Sequence, residues 1–337
     1  MKILIYSPAF FPNIGGLELV VSILAHEFAR SGHEVKLVTT TPASEEKTAP
    51  FEVVRCPGPA RLLRLTRWCD LFFQANVSLK GLWPLLLCQR PFVVTHQGWY
   101  ARLDDSMDWR GRLKFFVTRF AHNITASRAV AEHVPSPSTV IPNPYLEDVF
   151  FLRKEAVREK DLIFLGRLVS DKGADLLLDA LARLKARGLT PRLTIVGTGP
   201  EEPLLRKQAR ELDVNDQVDF IGSRTGNDLA EVLNAHRILV APARWKEPFG
   251  IVALEGIACG NVVVGSEGGG LKDAIGPCGI TFPNGDVEAL TQALADLLTD
   301  STGLATYQER AEGHLRRHTG AEVARAYLRV FEQAVSL

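Results

Sequence analysis

The chain has 337 residues, 39 Lys plus Arg against 39 Asp plus Glu, and 46% hydrophobic residues. That length exceeds one ordinary core and suits two domains of about 150 residues each. Zero net charge gives no global attraction to nucleic acid, and the apolar run 82–88 falls far short of the roughly 20 residues of a spanning helix.

Residues 2–7 form a short β-type run, the usual opening of an α/β sheet. These first residues are too short for a signal peptide's apolar core. The five cysteines, Cys56, Cys69, Cys88, Cys259 and Cys278, are scattered with no CxxC pair, and an odd number of them without a signal peptide argues for a reducing compartment and against a zinc site. A turn-rich loop, 8–16, leads into an amphipathic helix over about 17–31. Gly32-His33 stops that helix, and 34–40 reads as the next strand. This βαβ unit implies parallel strands and a right-handed crossover. After a polar loop at 42–50, residues 51–55, 92–95, 123–127 and 138–141 read as further strands. The first half is therefore an open parallel sheet with helices on both faces.

Pro142-Asn-Pro144 and the charged stretch 153–161 mark a domain boundary near 143–160. The second half repeats the alternation. Strands at 161–166, 192–197, 217–222, 238–241, 262–265 and 279–282 interleave with helices at 174–187, 202–212, 227–235 and 287–300, and another helix opens near Ile251. The expected limits are 1–145 and 146–319. A closing segment, 320–337, carries an amphipathic helix with either domain to pack on, including back on the first. Two doubly wound domains in tandem place a cleft between the carboxyl edges of their sheets, where ligands of such folds bind.

Glu247-Pro-Phe-Gly-Ile-Val-Ala-Leu-Glu255 is the densest chemistry in the chain. Two carboxylates bracket a turn and the start of an apolar helix, whose first N–H groups favour an anion or a sugar hydroxyl. Glu247 falls in the loop, and Glu255, about one turn inside, is expected to reach past the helix start towards the same ligand. Gly15-Gly16-Leu17-Glu18 joins the first strand to the first helix and suits close approach of a phosphate or sugar, or a simple turn. It lacks the GxGxxG of a nicotinamide dehydrogenase.

Arg167 and Lys172 follow a strand's carboxyl end and could neutralise a diphosphate, or be two ordinary surface charges. Val196-Gly-Thr-Gly-Pro200 and Gly268-Gly-Gly270 are further glycine-rich turns that suit close approach. His96, also at a strand's carboxyl end, is placed to hydrogen-bond a substrate hydroxyl, whereas His33 reads as a loop residue. Between Arg55 and Arg128, twelve Lys/Arg face four Asp. Residues 61–68 and 110–120 interleave base with apolar and aromatic side chains. That pattern suits a peripheral membrane face or an anionic acceptor, and equally a soluble helix whose arginines lie along apolar surface.

Together these features resemble the retaining GT-B glycosyltransferases, in particular glycosyltransferase family 4 (glycosyl transferases group 1). Matching stretches run through most of the chain: Phe11-Pro-Asn-Ile-Gly-Gly-Leu-Glu18, His96, Val140-Ile-Pro-Asn143, Gly166-Arg-Leu-Val-Ser-Asp-Lys-Gly173, Val196-Gly-Thr-Gly199, Glu247 to Glu255, and Gly269-Gly-Leu-Lys-Asp273. The resemblance implies an α/β GT-B fold of two Rossmann-like domains, the first binding acceptor and the second nucleotide-sugar. It implies that Arg167 and Lys172 hold the donor diphosphate, Glu247 the donor sugar and Glu255 the ribose. Phe249, Gly250 and Ile251 would offer backbone N–H groups, and Gly15 and Gly16 would lie against the phosphates. His96 would contact the sugar, and Arg224 the base. Asp273 departs from the Glu often found there, and the chain is compact for the family.

The implied activity is retaining, metal-independent hexosyl transfer, with no cofactor beyond the nucleotide-sugar co-substrate. A UDP-sugar is favoured as donor, with a GDP-sugar as alternative. The acceptor is a glycan or lipid-linked glycan in bacterial surface polysaccharide or glycolipid synthesis. The location expected is cytoplasmic, with peripheral association to an anionic membrane surface at its inner face as an added expectation; nucleic acid is not an expected partner. Two rivals are a non-catalytic nucleotide-sugar or glycan-binding protein and a nucleotide-sugar epimerase of the same fold. The first is disfavoured by both acids occurring with both cations, the second by the spacing of the two acids.

Overall fold

The computed structural model describes residues 1–13, 15–42, 49–100 and 106–336. Ile14 of the glycine loop, 43–48 of the polar loop, 101–105 of the basic segment and the last residue lie outside it. The chain forms two units, Met1–Pro144 with His318–Leu337, and Tyr145–Arg317.

The first unit is built on β1 (Lys2–Ser7), β2 (Glu34–Thr39), β3 (Glu52–Arg55), β4 (Leu71–Ala75), β5 (Phe92–His96), β6 (His122–Thr125) and β7 (Ser138–Val140). All are parallel, in the order β3-β2-β1-β4-β5-β6-β7. The order reverses between β1 and β4, the switch point where such sheets open a crevice at their carboxyl ends. Sequence pattern had not marked β4. Leu71-Phe-Phe-Gln-Ala75 is buried at every position, so it lacks the alternation of a half-exposed strand.

The closing helix, Gly320–Ser336, belongs to this unit. Its apolar positions recur at helical spacing and turn Tyr327 and Phe331 fully inward. The Phe331 ring lies 5.2 Å from both Phe28 and Phe73, and the Tyr327 hydroxyl is 2.7 Å from Thr95 Oγ1.

The second unit holds β8 (Lys160–Leu165), β9 (Leu193–Val196), β10 (Val218–Gly222), β11 (His236–Ala241), β12 (Val262–Ser266) and β13 (Gly279–Phe282). These are also parallel, ordered β10-β9-β8-β11-β12-β13 with the switch between β8 and β11. Leu162, Phe164, Ile238 and Val264 from the strands meet Leu181 and Leu290 from helices Ala174–Ala186 and Val287–Thr299 in one core. Short helices at Leu271–Ile275, Ser301–Gln308 and Ala311–Leu315 have too few turns to show a period. Among the described residues, no helix is long and apolar enough to cross a membrane.

Candidate active site

In the second unit, Arg167 and Lys172 issue from the loop after β8, and Glu247 from the loop after β11, the two strands that flank the switch point. Gly173 closes the first loop with φ +70°, and a Cβ there would lie 2.0 Å from the carbonyl oxygen of Pro242. Only glycine lets the two loops come this close. The backbone N–H of Arg244 donates to the Asp171 carbonyl at 2.9 Å, and the Arg244 side chain pairs with Asp175. The two loops are thus fastened together just beyond the sheet.

A second fastening joins the loop after β11 to the loop after β12. Glu247 and Gly269 form an isolated parallel β-bridge, and Gly270 N–H donates to the Glu247 carbonyl at 2.7 Å. Gly269, at φ +85°, has no room for a side chain, since a Cβ would sit 2.3 Å from that same carbonyl oxygen. Asn284 completes the arrangement by accepting from Gly268 N–H at 2.6 Å and donating to the Ala243 carbonyl at 3.0 Å. Sequence reasoning missed Asn284, Asp171 and Arg244 as supports. The turn Pro283-Asn-Gly285 was the one available cue for Asn284.

Lys172 Nζ and the Glu247 carboxylate form an ion pair, each side chain largely covered. The expectation of two cations on one diphosphate therefore takes a different form. Lys172 is neutralised by Glu247, while the Arg167 guanidinium is exposed, with no ion-pair or hydrogen-bond partner among the described residues. An anion arriving here meets Arg167 as open charge and Lys172 in competition with Glu247.

Helix Ile251–Ala258 starts at Gly250, φ +102°, with no side-chain cap. Its leading N–H groups lie immediately after Glu247 in the chain and carry the positive end of the helix dipole. The Phe249 side chain is buried core, as is most of Ile251, so what these residues can offer a ligand is backbone. Glu255 does not protrude as expected: it is 8% exposed. Its carboxyl has no hydrogen-bond or ion-pair partner among the described residues, and burial pushes it up to about 7. The carboxyl oxygens are not sealed from solvent, but a carboxylate this far removed from water is costly for the fold, and ligand hydroxyls would supply donors.

The glycines of Val196-Gly-Thr-Gly-Pro200 have a local task. Gly197 and Gly199 abut the backbone of Gly166 and Leu168, so this turn supports the loop that carries Arg167. Arg224 is exposed beyond β10, the sheet edge two strands from β8, and donates to the Ser223 carbonyl at 2.9 Å.

In the first unit, Gly15 and Gly16 are exposed at the start of helix Gly16–Arg30, a helix end that suits an anion and against which the Glu18 carboxylate lies beside Gly15. His96 corrects the expectation for it. The strand end is as anticipated, but the ring is fully buried, with Nδ1 2.7 Å from the Tyr100 hydroxyl and Nε2 3.0 Å from Asn123 Oδ1. Burial lowers its pKa to about 4. Both nitrogens are occupied by neighbours on the same unit, leaving none for a substrate hydroxyl. Position along the strand was readable; the side chain's partners were not.

Residues 148–314 match the family model described as Glycosyl transferases group 1. The chain is 36% identical over 183 residues to a D-inositol 3-phosphate glycosyltransferase of Stackebrandtia nassauensis, covering 51% of this chain and 41% of that protein. It thus spans less than half the length of that relative. A phosphatidyl-myo-inositol mannosyltransferase of Mycolicibacterium smegmatis is 28% identical over an alignment of 367 positions, covering 98% of this chain and 94% of its own. The solved Anabaena protein HepE, in complex with UDP, superposes with a TM-score of 0.84 at 20% identity, over 99% of this chain and all of its own. The fold is therefore GT-B, as the family resemblance implied. The family match falls on the unit that carries Arg167, Lys172, Glu247 and Glu255, and that unit is a glycosyl transferases group 1 domain.

Proposed function

We propose that the chain transfers a sugar from a nucleotide-sugar to a glycan or lipid-linked acceptor, with retention at the anomeric carbon and without a metal. The observation that carries this is the convergence at the β8/β11 switch point of an ion-paired Lys172 and Glu247 with Arg167 and a helix start backed by Glu255, the side chains of Arg167 and Glu255 having no hydrogen-bond or ion-pair partner among the described residues. In this reading Arg167 and Lys172 neutralise the departing diphosphate, a contribution on the order of 3 kcal/mol per well-placed donor. Glu247, released from Lys172 by the incoming phosphate, accepts from the donor sugar's hydroxyls, and Glu255 from those of the ribose. The glycosidic C–O bond to the diphosphate breaks as the acceptor oxygen bonds to the same face. The acceptor's proton passes to the departing phosphate oxygen.

The name of the mannosyltransferase relative supports a lipid-linked acceptor, and the UDP held by the fold neighbour supports trying a UDP-sugar first. A thermal-shift screen of UDP-, GDP- and ADP-sugars identifies the donor, since a ligand of the folded state raises the melting temperature by mass action. Transfer is then assayed with EDTA present. Glu255→Ala and Lys172→Ala are each expected to remove transfer while unfolding stays cooperative. Full activity in either folded variant rules the assignment out. Donor binding with neither transfer nor hydrolysis, across acceptors, would favour a binding protein instead.

A further inference from the structure

A helix on the surface of a soluble fold ordinarily turns its apolar stripe inward. Trp109–Val117, continued by the 3-10 turn Thr118–Phe120, does the reverse. Its inward side is made of Gly111 and Thr118, both buried, and Phe115, whose ring lies 5.7 Å from Tyr100 and 5.3 Å from His133. The outward side carries Trp109, Leu113, Phe116 and Phe120, with exposures of 67%, 40%, 52% and 68%. At 3.6 residues per turn Trp109, Leu113 and Phe116 fall within about 60° of arc, and the Phe120 ring lies 5.3 Å from that of Phe116.

Charge frames this ridge. Arg110, Arg112, Lys114 and Arg119 accompany it, and no Asp or Glu occurs from Trp109 through Ala131. Among the described residues, none of these four cations has a carboxylate partner. The Arg110 and Arg119 guanidinium carbons lie 5.3 and 5.9 Å from the rings of Trp109 and Phe116. The other basic stretch of the unit differs. Helix Pro59–Trp68 buries Leu62 and Leu65, and Arg61 pairs with Glu52, so it is an ordinary surface helix.

We propose that the 109–120 face docks on an anionic lipid bilayer, with the aromatic ridge entering the headgroup boundary and the arginines on the lipid phosphates. Aromatic residues, Trp among them, with flanking cations and an apolar ridge parallel to the surface are what an interfacial helix requires. Pairing with a second copy across a two-fold axis would set four cations against the same four, and the acid next to them in the chain, Asp108, is engaged in capping the helix by accepting from Gly111 N–H at 2.8 Å. A bilayer with anionic headgroups supplies both the apolar interior and the counter-charge.

The test is flotation of the full chain with phosphatidylcholine vesicles, with and without phosphatidylglycerol. Wild type is expected to float with the anionic vesicles at low salt and to be released at high salt. Arg110→Gln/Arg112→Gln/Arg119→Gln is expected to weaken partition about a hundredfold. Trp109→Ser/Phe116→Ser/Phe120→Ser should weaken it at least tenfold. All six positions are exposed, and unchanged unfolding midpoints confirm that the fold survives. The proposal is overturned if wild type ignores anionic vesicles, or if the serine variant floats like wild type. It is also overturned if sedimentation shows a wild-type dimer that the serine variant loses. The readout is partition, so failure here leaves the glycosyl-transfer reading untouched.

Discussion

Glu255 concentrates the cost of the candidate site in one side chain. Its carboxyl titrates near 7 in the fold against an ordinary value near 4.5. Between those values the folded state holds a proton that the unfolded state has lost, so stability falls as pH rises through that window and the full cost is reached above 7. Glu255→Gln should flatten this slope and stabilise the protein at pH 8 by up to about 3 kcal/mol, while weakening donor binding. Denaturant midpoints at pH 5 and pH 8 measure it, and identical slopes for variant and wild type would remove the argument.

His96 and His236 act in the opposite direction, both lowered to about 4 by burial. Below about 6.5 the unfolded state takes up protons that the fold refuses, so their contribution is lost as pH falls towards 4. A stability maximum between about pH 5 and 7 follows, and His236→Gln should soften its acid side in equilibrium unfolding. At the same scale, Arg167→Met is expected to reduce transfer at least a hundredfold with an unchanged melting temperature, because the exposed Arg167 side chain has no hydrogen-bond or ion-pair partner among the described residues.

At the scale of elements, the loops after β8, β11 and β12 form the site because three close backbone approaches hold them. Gly173→Ala tests one of them. It adds a Cβ onto the Pro242 carbonyl at a left-handed position, and should cost at least about 2 kcal/mol. Gly188→Ala is the control: its φ is +81°, but nothing lies within 4 Å of the added Cβ, so only backbone strain of about 1 kcal/mol is expected. Equal losses in thermal or denaturant unfolding would mean that the close approach contributes nothing. The glycines themselves were conspicuous in the sequence. Which served a ligand and which served a neighbouring loop was not, because a glycine reports missing bulk without saying what fills the space. Gly197 and Gly199, filled by the backbone of Gly166 and Leu168, show the difference.

Over the whole molecule, the chain completes its first unit only after making its second. Helix Gly320–Ser336 covers Phe28, Phe73 and Thr95 with Tyr327 and Phe331. Phe331→Ala should cost the first unit about 3–5 kcal/mol, seen as a lowered first transition in calorimetry with the second unit's transition unmoved. A single transition shifted as a whole would show that the two units unfold together.

The sequence by itself determined the α/β class, the alternation that builds both sheets and the position of the Glu247–Glu255 stretch, because period, turns and helix starts are local properties. It also placed Arg167 and Lys172 at a strand's carboxyl end. The tertiary structure decided what depends on partners distant in the chain. It found β4, whose burial on both faces erases the periodic signal, and seated the closing helix against Phe28 and Phe73. It joined Lys172 to Glu247 across 75 residues, enclosed His96 between Tyr100 and Asn123, and buried Glu255 without a donor. Two basic, aromatic stretches that read alike came apart for the same reason: whether an apolar stripe faces a core or faces out is settled only by what packs behind it.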